Sequence, residues 1–305
     1  MPEAPEVPEA GTISWREVLA ETEGRLLAAG HDAGSALRES RWIVEEASGA
    51  STESAASELD VLVTVRGMAH HDAMVERRLA GEPLQYVLGC WSFRTLDLMV
   101  DRRVLIPRPE TEVVAGLALA EVDRLAAGRD PSTEPVLVAD LGTGSGAIGL
   151  SVAAERVGTR VWCTDASSDA LAVARANCVG LGRPAQRVTL AEGSWFDALP
   201  GDLRGRLEVI VSNPPYVAAD DDLPAEVADW EPDAALYAVD RGTADLRVLI
   251  EGASDWLVPG GALVLEMSPD QTGPMADLAR SVGYVDVVVH RDLAGRDRAL
   301  VGIHP

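Results

Sequence analysis

Val138-Ala139-Asp140-Leu141-Gly142-Thr143-Gly144-Ser145-Gly146 is the stretch whose reading decides the fold. A short apolar strand, Val136 to Asp140, runs into three alternating glycines, and a helix opens at Ala147. Glycine permits a tight turn and lets backbone approach a ligand with no Cβ in the way. The helix start offers unpaired N–H groups suited to a carboxylate. A second apolar run ends in Asp165, 23 residues after Gly142, where an acidic residue can bind both hydroxyls of a ribose. The plain alternative is a glycine turn and a helix-capping Asp. Strand, loop, helix and acid standing in register favour nucleotide-type binding. The spacing is Gly-x-Gly-x-Gly rather than the Gly-x-Gly-x-x-Gly of dinucleotide binders, and no Walker Lys-Ser/Thr follows. The expected ligand is therefore an adenosyl compound without phosphates.

Working outward, strands and helices alternate to the C-terminus. Strands are expected at Arg160–Asp165, Val188–Ala191, Leu207–Ser212, Ala262–Glu266, Val285–His290 and Ala299–Ile303, with helices at Ala147–Ala154 and Asp169–Asn177. This is the pattern of an α/β protein with a mostly parallel, Rossmann-like sheet covered on both faces. Upstream, Pro107-Arg108-Pro109-Glu110-Thr111-Glu112 starts a helix that should reach Ala127. Pro109 fits a first turn, where its missing N–H is not needed, and Glu110 and Glu112 sit by the positive helix end. Phe93, Leu96, Leu98, Val100, Val104 and Leu105 partly alternate with polar residues, which predicts a β-hairpin.

From Ile13 to Ala80 the periodicity is helical. One run carries Val18, Leu19, Leu26 and Leu27; a second carries Leu37, Trp42, Ile43 and Val44. Val61, Leu62, Val65 and Met68 suggest a third, and Met74, Val75 and Leu79 a fourth, with Gly30 and Gly49 as stops. The chain thus divides into an acidic, Pro-rich tail (1–11) read as disordered, a helical bundle (12–85) suited to substrate recognition, a hairpin linker (86–107) and a ligand-binding catalytic domain (108–305). His70 and His71 are adjacent and cannot share one helix face; no Cys or carboxylate lies at ligand spacing, so they read as surface residues.

The 305 residues are 47% hydrophobic and only 4% aromatic, so Ala, Val and Leu must build the core. Cys90, Cys163 and Cys178 are dispersed, which excludes a zinc framework and fits reduced thiols in a cytoplasmic protein. No long apolar run suggests a membrane span, and no metal site is expected. The net charge of −23 opposes nucleic-acid binding, which draws its affinity from cations.

A second motif is Ile210-Val211-Ser212-Asn213-Pro214-Pro215-Tyr216. An apolar strand delivers a polar Asn at its C-terminal end, where open α/β sheets bind ligands. Two prolines fix the backbone behind it. The Asn213 oxygen and a nearby carbonyl can accept both hydrogens of an –NH2, and Tyr216 can lay its ring on a planar group. A Pro-rich turn is the simpler reading of any isolated Pro-Pro.

Together with Pro107–Glu112, these motifs resemble the peptide chain release factor glutamine methyltransferase family, known as HemK or PrmC. Gly81-Glu82-Pro83-Leu84-Gln85-Tyr86, Trp195-Phe196, Glu231-Pro232, Leu265-Glu266 and Asp292-Leu293-Ala294-Gly295-Arg296 match as well. The resemblance covers Gly81 to Arg298, and the helical N-terminal segment matches in character only. One departure is Ser268, where the family usually has Gly. The resemblance implies a class I methyltransferase fold and S-adenosylmethionine as cofactor. It implies that Gly142, Thr143, Gly144, Ser145 and Gly146 cradle the methionine part, that Asp165 binds the ribose and that Trp195 sits at the adenine end. Asn213, Pro214, Pro215 and Tyr216 would hold the glutamine amide, with Asn213, Pro214 and Tyr216 serving the chemistry and Asn213 also touching the cofactor. The substrate it implies is the Gly-Gly-Gln loop of class-one release factors, acted on by a monomer. Two other readings stay open on the sequence: a nucleic-acid adenine amino methyltransferase, since Asn-Pro-Pro-Tyr is shared, and a non-catalytic cofactor-binding protein.

Overall fold

A computed structural model describes residues 10–49, 59–218 and 220–305. It forms two compact units, one of residues up to Gly89 with Ala225–Trp230, the other of Cys90–Pro224 with Glu231–Pro305. In the smaller unit, strand β1 (Ala10–Ser14) pairs antiparallel with β2 (Leu62–Thr64), beside helices α1 (Trp15–Ala28), α2 (Ala33–Ser48) and α3 (Val65–Leu79). Each helix start is written locally. Ser14 and Glu17 form a reciprocal capping box, Asp32 caps α2, and Thr64 caps α3. Gly49, at φ 70, closes α2 in the left-handed conformation. Buried Trp15, Val18, Val44 and Val63 pack as one cluster, and Ile43, Met74, Val75, Leu84 and Val87 as another.

Three expectations need correction here. The third and fourth helical runs are one helix, because Leu62–Thr64 is a strand whose last residue caps it. Ile13 likewise belongs to a strand, as do Ala10 and Gly11 of the expected tail; the rest of that tail lies outside the described residues. His70 is exposed, but His71, the next residue of the helix, is buried. Its Nε2 stands 2.7 Å from the Thr22 hydroxyl and its Nδ1 3.3 Å from Asp72. Burial holds its pKa below the usual histidine value, so it is a hydrogen-bonded core residue. No His, Cys, Asp and Glu cluster fit for a metal occurs among the described residues.

The larger unit opens with the hairpin β3 (Cys90–Phe93) and β4 (Leu96–Met99), turning at Arg94 with φ 53. Helix α4 (Pro109–Ala126) follows. Then come β5 (Val136–Leu141), α5 (Ala147–Glu155), β6 (Thr159–Asp165), α6 (Ser168–Gly180), β7 (Val188–Glu192) and β8 (Leu207–Ser212). Helix α7 (Ala244–Ala253), β9 (Leu257–Glu266), α8 (Thr272–Ser281), β10 (Val285–Arg291) and β11 (Asp297–Ile303) complete it. The seven strands of the main sheet run β10-β11-β9-β8-β5-β6-β7, all in one direction except β11, which is antiparallel to both β9 and β10. This is the expected Rossmann-like α/β sheet.

Period-two alternation sorts the side chains between two cores. Val136 and Val138 of β5, with Val209 and Val211 of β8, face α4 and α5. Ala139 and Leu141, with Ile210, Leu263 and Leu265, face α7 and α8. Phe93 and Leu98 of the hairpin join the first core. Because β6 and β8 flank β5 on opposite sides, the strand order reverses at β5. In such sheets a crevice opens beyond the strand ends at that point.

Candidate active site

The glycine loop leaves β5 at that crevice. Gly142, Gly144 and Gly146 have φ of 72, 55 and 88, so all three use the conformation that side chains resist. Asp140, buried near the C-terminal end of β5, accepts from the Thr143 hydroxyl at 2.5 Å and from Gly149 N–H at 2.9 Å. Burial pushes its pKa up to about 6. Asp165, at the end of β6, accepts from Gly144 N–H through Oδ2 and from Ser167 N–H through Oδ1, each at 2.9 Å. Burial raises its pKa, while those donors oppose the rise. Each carboxylate oxygen keeps a further lone pair.

A cavity of about 340 Å³ lies over this loop. Gly142, Thr143, Gly144 and Ser145 line it, as do Asp165 and Trp195. A Cβ built on Gly144 would enter open space, with nothing within 4 Å. Gly146 is not among the lining residues; it starts α5, and a Cβ there would press on Leu150 at 2.6 Å. Trp195 has φ 46 and lays its ring against Gly142, whose built Cβ would lie 3.2 Å away. Its indole N–H donates to Asp245 at 3.2 Å. It also packs on the core below, so it both fills space and walls the cavity.

Strand β8 brings the second motif to the same place. Asn213 and Pro215 line the cavity; Pro214 is buried, and neither it nor Tyr216 is among the lining residues. The Asn213 side-chain nitrogen donates to the Thr111 hydroxyl at 3.3 Å. Tyr216 turns its hydroxyl to buried Glu266 at 3.3 Å, with Arg298 at 3.4 Å from the same oxygen. Desolvation dominates here: the Tyr216 pKa rises above the usual phenol range, and Glu266 is pushed up to about 7. Behind the motif, Gln271 donates to the Tyr216 carbonyl at 2.9 Å, and its oxygen accepts from Ser268 N–H at 3.1 Å. Ser268 is not among the residues of positive φ, so its position makes no demand for glycine. Gly242, at φ 77, abuts Tyr216 so closely that a Cβ would drive into its carbonyl.

Among charged residues, Asp140, Asp165, Asp245 and Arg103 line the cavity, a balance that suits a ligand of positive charge. Sequence reasoning gave no role to Asp245, Glu266, Gln271 or Gly242, and singled out Thr111 only as part of its motif. Each acts across more than 20 residues of chain, beyond any local pattern.

The comparisons with known proteins bear on both units. Residues 17–89 match the model of the PrmC N-terminal domain, and residues 131–229 that of the methyltransferase small domain. A release factor glutamine methyltransferase of Xylella fastidiosa strain 9a5c is 40% identical over 247 residues, covering 81% of this chain and 85% of the relative. The chain belongs to the release factor glutamine methyltransferase family. A member from Moorella thermoacetica is 44% identical over 230 residues, covering 74% of this chain and 77% of its own. The class I methyltransferase fold is shared with the hMettl16 catalytic domain, solved with the MAT2A 3'UTR hairpin 6: TM-score 0.51, 14% identity, 77% of this chain and 82% of that one. No helix among the described residues is long and apolar enough to cross a membrane.

Proposed function

We propose that this protein methylates the side-chain amide nitrogen of the glutamine in the Gly-Gly-Gln motif of class-one peptide chain release factors, with S-adenosylmethionine as donor. One observation carries the reading: Asn213 reaches the wall of the glycine-loop cavity with its nitrogen tied to Thr111, which leaves its oxygen for an incoming –NH2. The residues present fit the cofactor. The loop has room over Gly144, Asp165 stands at the strand end with lone pairs to spare, and carboxylates outnumber cations around a ligand that carries a sulfonium. Gly142 to Ser145 would hold its methionine part, Asp165 its ribose and Trp195 its adenine end, with Gly146 shaping the turn into α5. When bound, the cofactor supplies a strongly electrophilic methyl group.

An amide nitrogen is a weak nucleophile because its lone pair is delocalised into the carbonyl. The protein's task is orientation, which can remove ~7–11 kcal/mol of barrier. Asn213 Oδ1 and the Pro214 carbonyl accept the two amide hydrogens and aim the nitrogen. They also favour the positive charge that grows on it. A glutamate has no such hydrogens and would leave both acceptors unpaired. Tyr216 stiffens this arrangement from behind through Glu266. We assign recognition of the protein substrate to the smaller unit, and we place the reaction in the cytoplasm with a monomeric enzyme. The charge of −23 disfavours a nucleic-acid substrate. Incubation with labelled cofactor and purified release factors should place one methyl group on the motif glutamine, located by mass spectrometry. Label on DNA or RNA instead, or none on any release factor, would sink the proposal.

A further inference from the structure

Gln271 stands at the N-cap of α8 yet does not cap it, for its side chain makes no hydrogen bond to the helix start. Short polar side chains serve that position best. The Gln271 amide is spent elsewhere, on three backbone groups, and the residue is only 5% exposed. Its nitrogen donates to the Tyr216 carbonyl at 2.9 Å and to the Arg241 carbonyl at 3.2 Å. Its oxygen accepts from Ser268 N–H at 3.1 Å. These partners force the orientation: a reversed amide would set its oxygen against two carbonyls.

The Arg241 partner sits in strained backbone. Asp240 and Arg241 have φ 53 and 56, followed by Gly242 at φ 77, a left-handed turn in which two residues carry side chains. Such residues resist this conformation, and strain of this kind persists where the surroundings over-determine it, as at functional sites. The Gly242 N–H donates to the Ala238 carbonyl, and Thr243 donates to that of Asp240 through both its N–H and its hydroxyl. The turn gains close approach. Bare Gly242 backbone lies against the Tyr216 carbonyl, and the Arg241 carbonyl comes within reach of the same amide.

Tyr216 ends the run Asn213-Pro214-Pro215-Tyr216. Ring closure fixes φ of both prolines, and each proline confines the residue before it to extended backbone. Few soft torsions remain between the Pro214 and Tyr216 carbonyls, so the segment is a short rod. One end is held at β8, where the Ser212 hydroxyl donates to the Leu141 carbonyl at 2.6 Å. Gln271 holds the other. We infer that Gln271 is a positioning residue for methyl transfer: it pins the Tyr216 carbonyl beside the left-handed turn and so, through two prolines, sets the angle at which the Pro214 carbonyl meets the substrate amide. This rests on the function proposed above. Gln271, Arg241 and Gly242 are not among the residues lining the cavity, so the bracket acts on aim rather than on cofactor binding.

The test uses the full chain, a purified class-one release factor and S-adenosylmethionine. Gln271→Met keeps the length of the side chain and removes all three bonds. Misplacing an aimed group by about 1 Å can cost ~10²-fold in rate. A loss of about 10- to 100-fold is therefore expected in kcat, with calorimetric cofactor affinity and KM kept within about twofold. A folded variant with wild-type kcat, or one whose defect lies only in KM or cofactor affinity, would overturn the inference. Gln271→Glu reads the same bond within a single protein. Its carboxylate can still accept from Ser268 but cannot donate; protonated, it regains one hydrogen for the Tyr216 carbonyl. Burial between two carbonyl oxygens favours that protonated form. Its kcat, taken as a ratio to wild type at each pH so that groups common to both cancel, should equal that of Gln271→Met at high pH and climb as pH falls. A ratio that does not climb overturns the inference, even where the methionine variant fails to fold. Lost packing alone would lower denaturant midpoints without producing that profile. The unaltered protein's transfer to release factor reports separately on the proposed function.

Discussion

The glycine loop and the Asn213 segment stand at the ends of adjacent strands, yet they are built by opposite means. The loop is shaped by its own backbone. Its three glycines take positive φ, and the acids that hold it, Asp140 and Asp165, come from the strand before it and the strand beside it. The Asn213 segment has no glycine of its own. It is held by side chains from far away in sequence: Thr111, Glu266 and Gln271, with Gly242 pressed behind it. The first construction makes a surface that receives a ligand; the second fixes the angle of a single amide. Damage to them should therefore separate into lost affinity and lost rate.

The largest effect is expected from Gly144→Val. Its φ of 55 already resists a side chain, and the new methyl groups would project into the cavity. Calorimetric titration should detect no S-adenosylmethionine binding to the folded variant; normal affinity would show that the loop serves only the turn. Asn213→Ala should do the reverse, leaving affinity nearly unchanged while kcat falls ~10²–10³-fold. Single-turnover methylation beside cofactor titration checks this, and a variant defective in affinity alone would erase the contrast between the two regions. Asp165→Ala should weaken cofactor binding by about 1.5–3 kcal/mol for each hydrogen bond lost to a charged group. Unchanged calorimetric affinity would remove it from the ribose.

The smallest effect concerns stability. In the fold the Glu266 pKa is pushed up from 4.5 to about 7 by burial, so the protonated form is the one favoured. Its contribution is complete below pH 4.5 and fades as pH rises through 7. Tyr216, Arg298, Glu110 and Thr111 face it and set that balance. Wild type should lose stability relative to Glu266→Gln across this window, read from denaturant midpoints at fixed ionic strength. Parallel curves would mean that Glu266 does not titrate there.

The same contrast explains what could be read beforehand. The glycine loop, Asp165 and the strand carrying Asn213 were legible because each is a local pattern: glycine spacing, an acid at a strand end, an apolar run before Asn-Pro-Pro. Their meeting at the crevice follows from strand alternation and topology. Thr111 and Glu266 were visible only as members of motifs, since the bond to Asn213 spans 102 residues. Asp245 gave no signal at all, although it fixes the Trp195 indole. In the smaller unit, Leu62–Thr64 was misassigned because three residues are too few to show a period, and the caps that delimit them are single side chains.

Asn177, on α6, accepts from the Met99 N–H at 2.7 Å and donates to the carbonyls of Met99 and Ser145 at 3.0 and 2.9 Å. One amide thus ties the hairpin strand to the ligand loop. Order in either segment is partly order in the other, so a molecule that quiets the loop also quiets β4, with no change of shape required. The Met99 amide proton, remote from the chemistry, becomes a meter of occupancy: its exchange with solvent should slow when the cavity is filled, and should lose that response once Asn177 is shortened to Ala.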